Sequence, residues 1–156
     1  MSYANKRTNP CTVAPAAATA AAARTPIVGE ISLGSGELIL PIKQEGSVVT
    51  HIHPDIHELT GSFQGLVTEF ARLNVDADRG DGVFSADGDF GGTVLGSEPG
   101  TAKVKLRAQV ADFHMLEGRF VITRGRDGLA GVRATGTWRY VFGEGGSYEG
   151  RAYITH

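Results

Sequence analysis

The sequence predicts an all-β fold, an antiparallel β-barrel, and three observations support this prediction. Apolar and polar residues alternate with a period of two along several runs in residues 60–156. These runs are rich in β-branched and aromatic residues, which fit a half-buried pleated surface. Glycine makes up 22 of the 156 residues, about twice its usual share of roughly 7%, and clusters between the runs, where tight turns need it.

The first 26 residues differ in composition from the rest of the chain. We interpret 1–35 as an arm rich in alanine and proline, and 36–156 as a single barrel domain. The alanine-rich run over 16–23 indicates a flexible tail or a short helix, because alanine is the best helix former. This run lacks the large aliphatic residues of a signal-peptide core, and Cys11 is the single cysteine. We therefore expect a cytoplasmic protein, with secretion as the open alternative.

Charge and hydropathy limit the classes of partner. The net charge is −2, and no basic patch is interleaved with aromatic residues, which argues against a nucleic-acid partner. No run approaches the roughly 20 apolar residues of a membrane-spanning helix, so no membrane association is expected. The basic row Lys103, Lys105 and Arg107 alternates with apolar residues and is interpreted as a solvated outer face.

The first strands of the domain are predicted from proline placement and from parity. Pro41 limits the stretch from Glu37 to Ile42 to an edge strand, because proline cannot donate to a central ladder. Farther along, Phe63, Val67 and Glu69 are in phase on one face of a long strand, and that face is the more consistently apolar one. This parity predicts that Glu69 points into the barrel.

Three strand-like runs separated by glycine-rich turns occupy residues 118–156. Trp138 and Tyr140 share one face of the second run, and Phe120 belongs to the bulky face of the first. His114 has the same parity as Phe120. We therefore expect His114 to point inward near one end of the barrel, unless a bulge exchanges the faces.

A histidine-bearing run follows the edge strand. His51 and His53 are two residues apart, so on a strand both imidazoles lie on one face. With His57 or Glu58 they would supply the imidazole and carboxylate donors that transition metals bind. The alternative is a surface strand that carries histidines and ends in a turn at Pro54-Asp55.

The same run resembles the first motif of the cupin family. Gly46 precedes His51-x-His53, and Glu58 and Gly65 follow, with one residue of difference in the first gap. The resemblance implies a divalent transition metal bound by His51, His53 and Glu58. A second cupin motif with its later histidine is missing from the sequence. Our expectation is therefore a protein without a cofactor, with the metal site as the alternative.

Glycine-containing motifs in the last hundred residues follow one another in a recognisable order. They are Leu59-Thr60-Gly61-x-x-x-Gly65, Asp89-Phe90-x-Gly92-Thr93-Val94-x-Gly96, Gly100-Thr101, Gly118-Arg119-Phe120-Val121-Ile122 and Gly128-Leu129-Ala130-Gly131-Val132-Arg133-Ala134-x-Gly136. This order resembles a bacterial family of unknown function with a barrel like that of allene oxide cyclase. Dirigent proteins and some bacterial polyketide cyclases are similar. The resemblance implies about eight strands, a homodimer or homotrimer, and an interior that is either filled or holds one small ligand.

Three functions are consistent with these observations. The first is a barrel that binds a small hydrophobic molecule and acts as a cofactor-independent cyclase or isomerase by holding it in a reactive conformer. The second is a structural, oligomeric barrel without catalysis, and the third is the cupin-type metal protein. The residues do not decide between an enzyme and a binding or structural protein.

The first function assigns roles to residues on the predicted inner face. The catalytic candidates are Glu69 as an interior carboxylate, His114 as a polar group at a mouth, and Tyr140 as a hydrogen-bond donor. The candidates for the ligand-binding wall are Phe63, Val67, Phe120 and Trp138.

Overall fold

The computed structural model describes residues 23–35 and 39–155, and strands dominate this part of the chain. Alternating side chains and glycine-rich turns give nine strands within these residues. Their bounds are β1 Thr25–Ile31, β2 Leu40–Glu45, β3 Val48–Gly61, β4 Phe63–Asp76, β5 Gly82–Val94, β6 Gly100–Ala111, β7 Met115–Asp127, β8 Val132–Val141 and β9 Gly145–Ile154. The predicted all-β class is confirmed. This part of the chain contains no helix long and apolar enough to cross a membrane.

The strands form one antiparallel sheet that closes on itself. Their order is β1-β9-β8-β7-β6-β5-β4-β3-β2, and β1 also pairs with β3, from Gly29 opposite Gly61 to Ile31 opposite Leu59. Eight strands therefore make a barrel-like ring, and β2 lies outside it against the first half of β3. The predicted edge strand at Pro41 is confirmed, because Pro41 lies in β2.

The ring begins earlier in the chain than the sequence predicts. β1 lies inside the segment 1–35 that we interpreted as an arm, yet it pairs with β9 along its whole length and closes the ring onto β3. Ile27 is the only deeply buried residue of this strand, so the alternation of apolar and polar residues along it is weak. The composition of the segment therefore gave no indication of a strand. The alanine-rich run at 16–23 lies almost wholly outside the described residues.

One end of the barrel is closed by aromatic packing, and we call it the packed end. Because the strands are antiparallel, the connections at Ser62, 95–99 and 128–131 all lie at this end. The largest fully buried side chains of the described chain are Phe63, Phe90 and Leu129. The ring of Phe63 meets those of Phe90 and Tyr148 edge-on, both with centroids 5.4 Å apart. Such T-shaped pairs add stability beyond the burial of area.

Candidate functional site

Strand β3 carries a row of ionisable side chains into the barrel. His53, Asp55 and His57 are all buried, and they alternate with residues on the outer face. The strand runs without a break through Pro54, so the alternative of a turn at Pro54-Asp55 is wrong. The backbone groups of Ile56 and Glu58 point away from β4 and bond residues 32–35. Pro54 is two residues before Ile56, so its backbone nitrogen also points away from β4. The N–H that proline lacks is therefore not needed by the β3–β4 ladder.

Asp55 is the centre of a buried polar cluster. Its Oδ2 lies 2.9 Å from Nε2 of His53 and 3.2 Å from Nε2 of His57. Its Oδ1 accepts a hydrogen bond of 2.7 Å from the backbone N–H of Ile56. Two imidazoles thus share one carboxylate oxygen, with Glu69 from the neighbouring strand close by. Residues His53, Asp55, His57 and Glu69 define what we call the polar end of the barrel.

His57 lies between oxygen acceptors on both sides of its ring. Its Nδ1 is 2.9 Å from the backbone carbonyl of Ser32, and its Nε2 is 3.5 Å from Oε1 of Glu69 as well as near Asp55. Because a carbonyl and carboxylates only accept, this environment favours a proton on each nitrogen, which is the imidazolium form of His57. Burial by itself lowers the pKa of His57, but Glu69, the Ser32 carbonyl and the charge of Asp55 outweigh it and raise the pKa above 6.5.

The segment Ser32–Ser35, which we call the strap, lies against the polar end. The backbone N–H of Ser32 donates to the Glu58 carbonyl at 2.9 Å, and the N–H of Gly34 donates to the Tyr140 hydroxyl at 3.3 Å. A Cβ atom on Gly34 would overlap the carboxylate of Asp55, so only glycine lets the strap lie this close. Tyr140 in turn packs edge-on against the His57 ring, with centroids 5.2 Å apart.

The interior holds a cavity of about 70 Å³ between the two ends. Its wall is mostly apolar, and four polar side chains of the wall, His53, His57, Glu69 and Tyr140, belong to the cluster or pack against it. The polar atoms of the other two, Trp138 and Tyr148, are hydrogen-bonded to backbone groups. The sequence-predicted candidates in this wall are Glu69, Tyr140, Phe63, Val67, Phe120 and Trp138. The structure therefore brings together six of the seven candidates around one space. His53 and His57 also line it.

His114 does not join this site. It lies exposed in the connection between β6 and β7, where its Nδ1 is 2.6 Å from the Asp112 carbonyl. Asp112 and Phe113 have φ angles of 49° and 61°, so the chain turns there in the left-handed region. The alternation along β7, from which we predicted an inward His114, therefore does not extend into this turn.

The three residues of the metal alternative do not converge. His51 and His53 lie on the inner face of β3, whereas Glu58, with the opposite parity, is exposed on the outer face. Within residues 23–35 and 39–155, no group of three or more His, Cys, Asp or Glu side chains is arranged to hold a metal ion.

Sequence reasoning missed Asp55 entirely and considered His57 only as a metal ligand. The signal was present as the period-two row His51-x-His53-x-Asp55-x-His57, which is the pattern of one strand face. The proline between His53 and Asp55 suggested a turn and concealed this row. The contribution of Ser32 is a backbone carbonyl, for which no sequence signal exists.

Comparison with known proteins adds information on the fold alone. No protein-family model and no curated protein matches the sequence. Among solved structures, the chain is similar to a protein of unknown function from the DUF3224 family of Shewanella oneidensis. The two are 14% identical with a TM-score of 0.67, over 86% of this chain and 99% of that one. This neighbour is consistent with the expected likeness to a bacterial family of unknown function.

Proposed function

We propose that the barrel binds a small molecule whose apolar part occupies the cavity and whose polar group meets the cluster at the polar end. The observation that carries this proposal is the interior cavity, whose walls are aromatic and aliphatic and which His53, His57 and Glu69 of the cluster also line. Pockets of that composition are the usual form of small-molecule sites. The proposal needs no cofactor, since the chain supplies both acidic and basic groups.

The cavity size restricts the ligand. A cavity of about 150 Å³ lined by aliphatic and aromatic residues holds benzene, whereas this one measures about 70 Å³. The buried portion of the ligand is therefore a short chain or small group. A longer molecule would extend past the strap, which covers the cluster through the contacts of Ser32 and Gly34.

As an enzyme, the barrel would be an isomerase or cyclase of the allene oxide cyclase-like type. Tyr140 lines the cavity beside His57 and Glu69, which offer opposite charges at the same end. Rigid walls that hold a substrate in its reactive conformer lower the barrier through orientation. Preorganised charges add electrostatic stabilisation of a polar transition state.

The single tryptophan gives a direct test of ligand binding. Trp138 lies in the cavity wall, and its indole N–H donates to the Arg119 carbonyl at 3.1 Å. Titration with butanone should shift its one indole NMR resonance in a saturable way. Ile122→Phe, which adds volume to the wall, should abolish the shift. The matched control Val121→Phe, on the outer face of the same strand, should retain it.

The absence of a saturable shift with butanone would contradict the ligand-binding proposal. A non-saturable shift that is the same in Ile122→Phe and Val121→Phe would contradict it as well, because it would report contact with the outer surface.

A second candidate, a structural and oligomeric barrel, is favoured by an apolar patch on the outer face of β3 and β4. Ile56, Leu66 and Phe70 are exposed there by 42%, 52% and 58%. The register places Ile56 diagonally between the other two, so their side chains adjoin. We propose that this patch mediates the expected homodimer or homotrimer.

Sedimentation equilibrium tests this second candidate. Phe70→Ser should weaken the self-association, whereas Val83→Ser, which removes an equally exposed apolar side chain from β5, should not. A wild-type chain that sediments as a monomer at all accessible concentrations would refute the oligomer.

A further inference from the structure

His53 is held in one tautomer by its neighbour. Its Nε2 lies 2.9 Å from Oδ2 of Asp55, and a carboxylate oxygen accepts a hydrogen bond rather than donating one. The proton of a neutral imidazole therefore sits on Nε2, and Nδ1 keeps its lone pair. The side chain is 2% exposed, and its Nδ1 has no hydrogen-bond partner among the residues that the structure describes.

The two histidines of the cluster differ in whether a ring nitrogen is available to accept a proton. His57 has an oxygen acceptor at each ring nitrogen and so has no lone pair available, whereas His53 has one nitrogen occupied and one available. Asp55 is the ionisable group that faces His53 from its own strand, and the ring of Phe142 meets it edge-on, with centroids 6.1 Å apart. His53 thus has one ring nitrogen without a hydrogen-bond partner in the described chain, beside an imidazole that meets acceptors at both nitrogens, and both residues line the cavity.

We propose that His53 is the general base of the cavity and removes a proton from a carbon next to a carbonyl group, with Asp55 as its positioning residue. This inference rests on the proposed function and names the substrate class as small carbonyl compounds with an acidic C–H bond. A base oriented by a carboxylate on its other nitrogen is the arrangement that fixes the tautomer in catalytic triads.

The proposed step balances within the cluster. The C–H bond of the substrate breaks, its proton forms an N–H bond at Nδ1 of His53, and the electron pair moves into a C=C bond and onto the carbonyl oxygen. The imidazolium of His57 stabilises the resulting enolate by its charge. With a β,γ-unsaturated carbonyl compound the enolate is conjugated, so return of the proton from Nδ1 to its γ-carbon completes an isomerisation. Return of the proton to the carbon that lost it regenerates the substrate. Neither an oxidant nor a reductant is required.

The tautomers are measurable in the protein without any ligand. Nitrogen-15 NMR of the imidazole rings should show a proton on Nε2 and a lone pair on Nδ1 of His53, and His57 protonated on both nitrogens. His53→Gln and His57→Gln assign the two signals. A His53 that carries its proton on Nδ1, or a neutral His57 at pH 7, would overturn the inference independently of any substituted protein's stability.

Catalysis is tested by hydrogen–deuterium exchange of the α-protons of butanone in D₂O. The wild type should accelerate this exchange over buffer, and His53→Gln should reduce the acceleration by at least about 100-fold, the lower range for general-base catalysis. Asp55→Asn should reduce it less and should also change the His53 tautomer in the nitrogen-15 spectrum. The matched control His114→Gln replaces an exposed histidine outside the cavity and should leave exchange unchanged.

The two proposals fail in different ways. Butanone that binds at Trp138 without accelerated exchange overturns the role of His53 and leaves ligand binding intact. Exchange that survives in His53→Gln also overturns it. If butanone does not bind in the wild type, the proposed function is overturned and the inference falls with it.

Discussion

The packed end and the polar end of the barrel interior follow the same alternation of inward side chains, yet they hold opposite kinds of groups. At the packed end, the hydroxyl of Tyr148 donates to the Thr60 carbonyl at 2.8 Å and accepts from the N–H of Phe63 at 2.9 Å. At the polar end, two carboxylates and two imidazoles are buried together, and His53 keeps a ring nitrogen without a partner in the described chain.

Because of this difference, the two ends of the barrel contribute differently to the stability of the fold and to the chemistry of the site. Apolar burial stabilises by about 25 cal/mol per Å², so the aromatic rings of the packed end contribute fully to the fold. Burial of charged groups costs desolvation free energy that their mutual attraction only partly returns. The polar end therefore contributes little net stability, although it presents the acidic and basic groups of the site.

The largest effect on stability is expected at the packed end. Phe63→Ala removes a ring that is 1% exposed and in contact with Phe90 and Tyr148, and it should cost about 3–5 kcal/mol of unfolding free energy. Val83→Ala, on the outer face of β5 and outside the apolar patch, should change it by no more than about 0.5 kcal/mol. Urea denaturation of both variants gives the comparison. Equal losses would show that the packed end is not the main source of stability.

A smaller effect is expected where the strap meets the cluster. Gly34→Ala places a methyl group against the Asp55 carboxylate and should cost about 1–3 kcal/mol, as overpacking of interiors usually does. The same variant should disturb the tautomer of His53, because Asp55 must move. Gly91→Ala is the control, since a Cβ atom there meets open space. A Gly34→Ala protein with wild-type stability and an unchanged imidazole spectrum would contradict the strap geometry.

The smallest effect is a pH dependence that differs between the ends. The folded-state pKa of His57 is raised, so its contribution to stability is fully present below the unfolded pKa of about 6.5 and is lost as pH rises through the folded pKa. His57→Gln should flatten this slope, whereas His114→Gln should keep it. The groups that face His57 are Asp55, Glu69, the Ser32 carbonyl and Tyr140.

Tyr148 supplies the contrast at the packed end. Burial raises its pKa above 10.0, against the opposing hydrogen bond from the Phe63 N–H. Its contribution is therefore lost only at a pH above about 10, as the hydroxyl ionises in the folded state. Urea denaturation across pH 5 to 11 separates the two transitions. A stability that is flat through neutral pH in the wild type would contradict the assignment of His57 as a buried cation.

The period-two pattern by itself determined the β class and the direction of most inward side chains. Phe63, Val67 and Glu69 point into the barrel because β4 is regular, and its parity is never shifted along the β3–β4 and β4–β5 ladders. Trp138 and Tyr140 face inward for the same reason on β8. The sequence predicts the direction of such side chains because successive residues of a strand point to opposite faces, whatever the distant residues are.

Only the tertiary structure decided which residues meet. The register that places Asp55 opposite Glu69 brings carboxylates of two strands to one end, and the closure of β1 onto β3 brings the Ser32 carbonyl to His57. A left-handed turn removed His114 from the interior, and no strand pattern encodes such a turn. Alternation is a local property of the backbone, whereas register and ring closure depend on contacts between residues far apart in sequence.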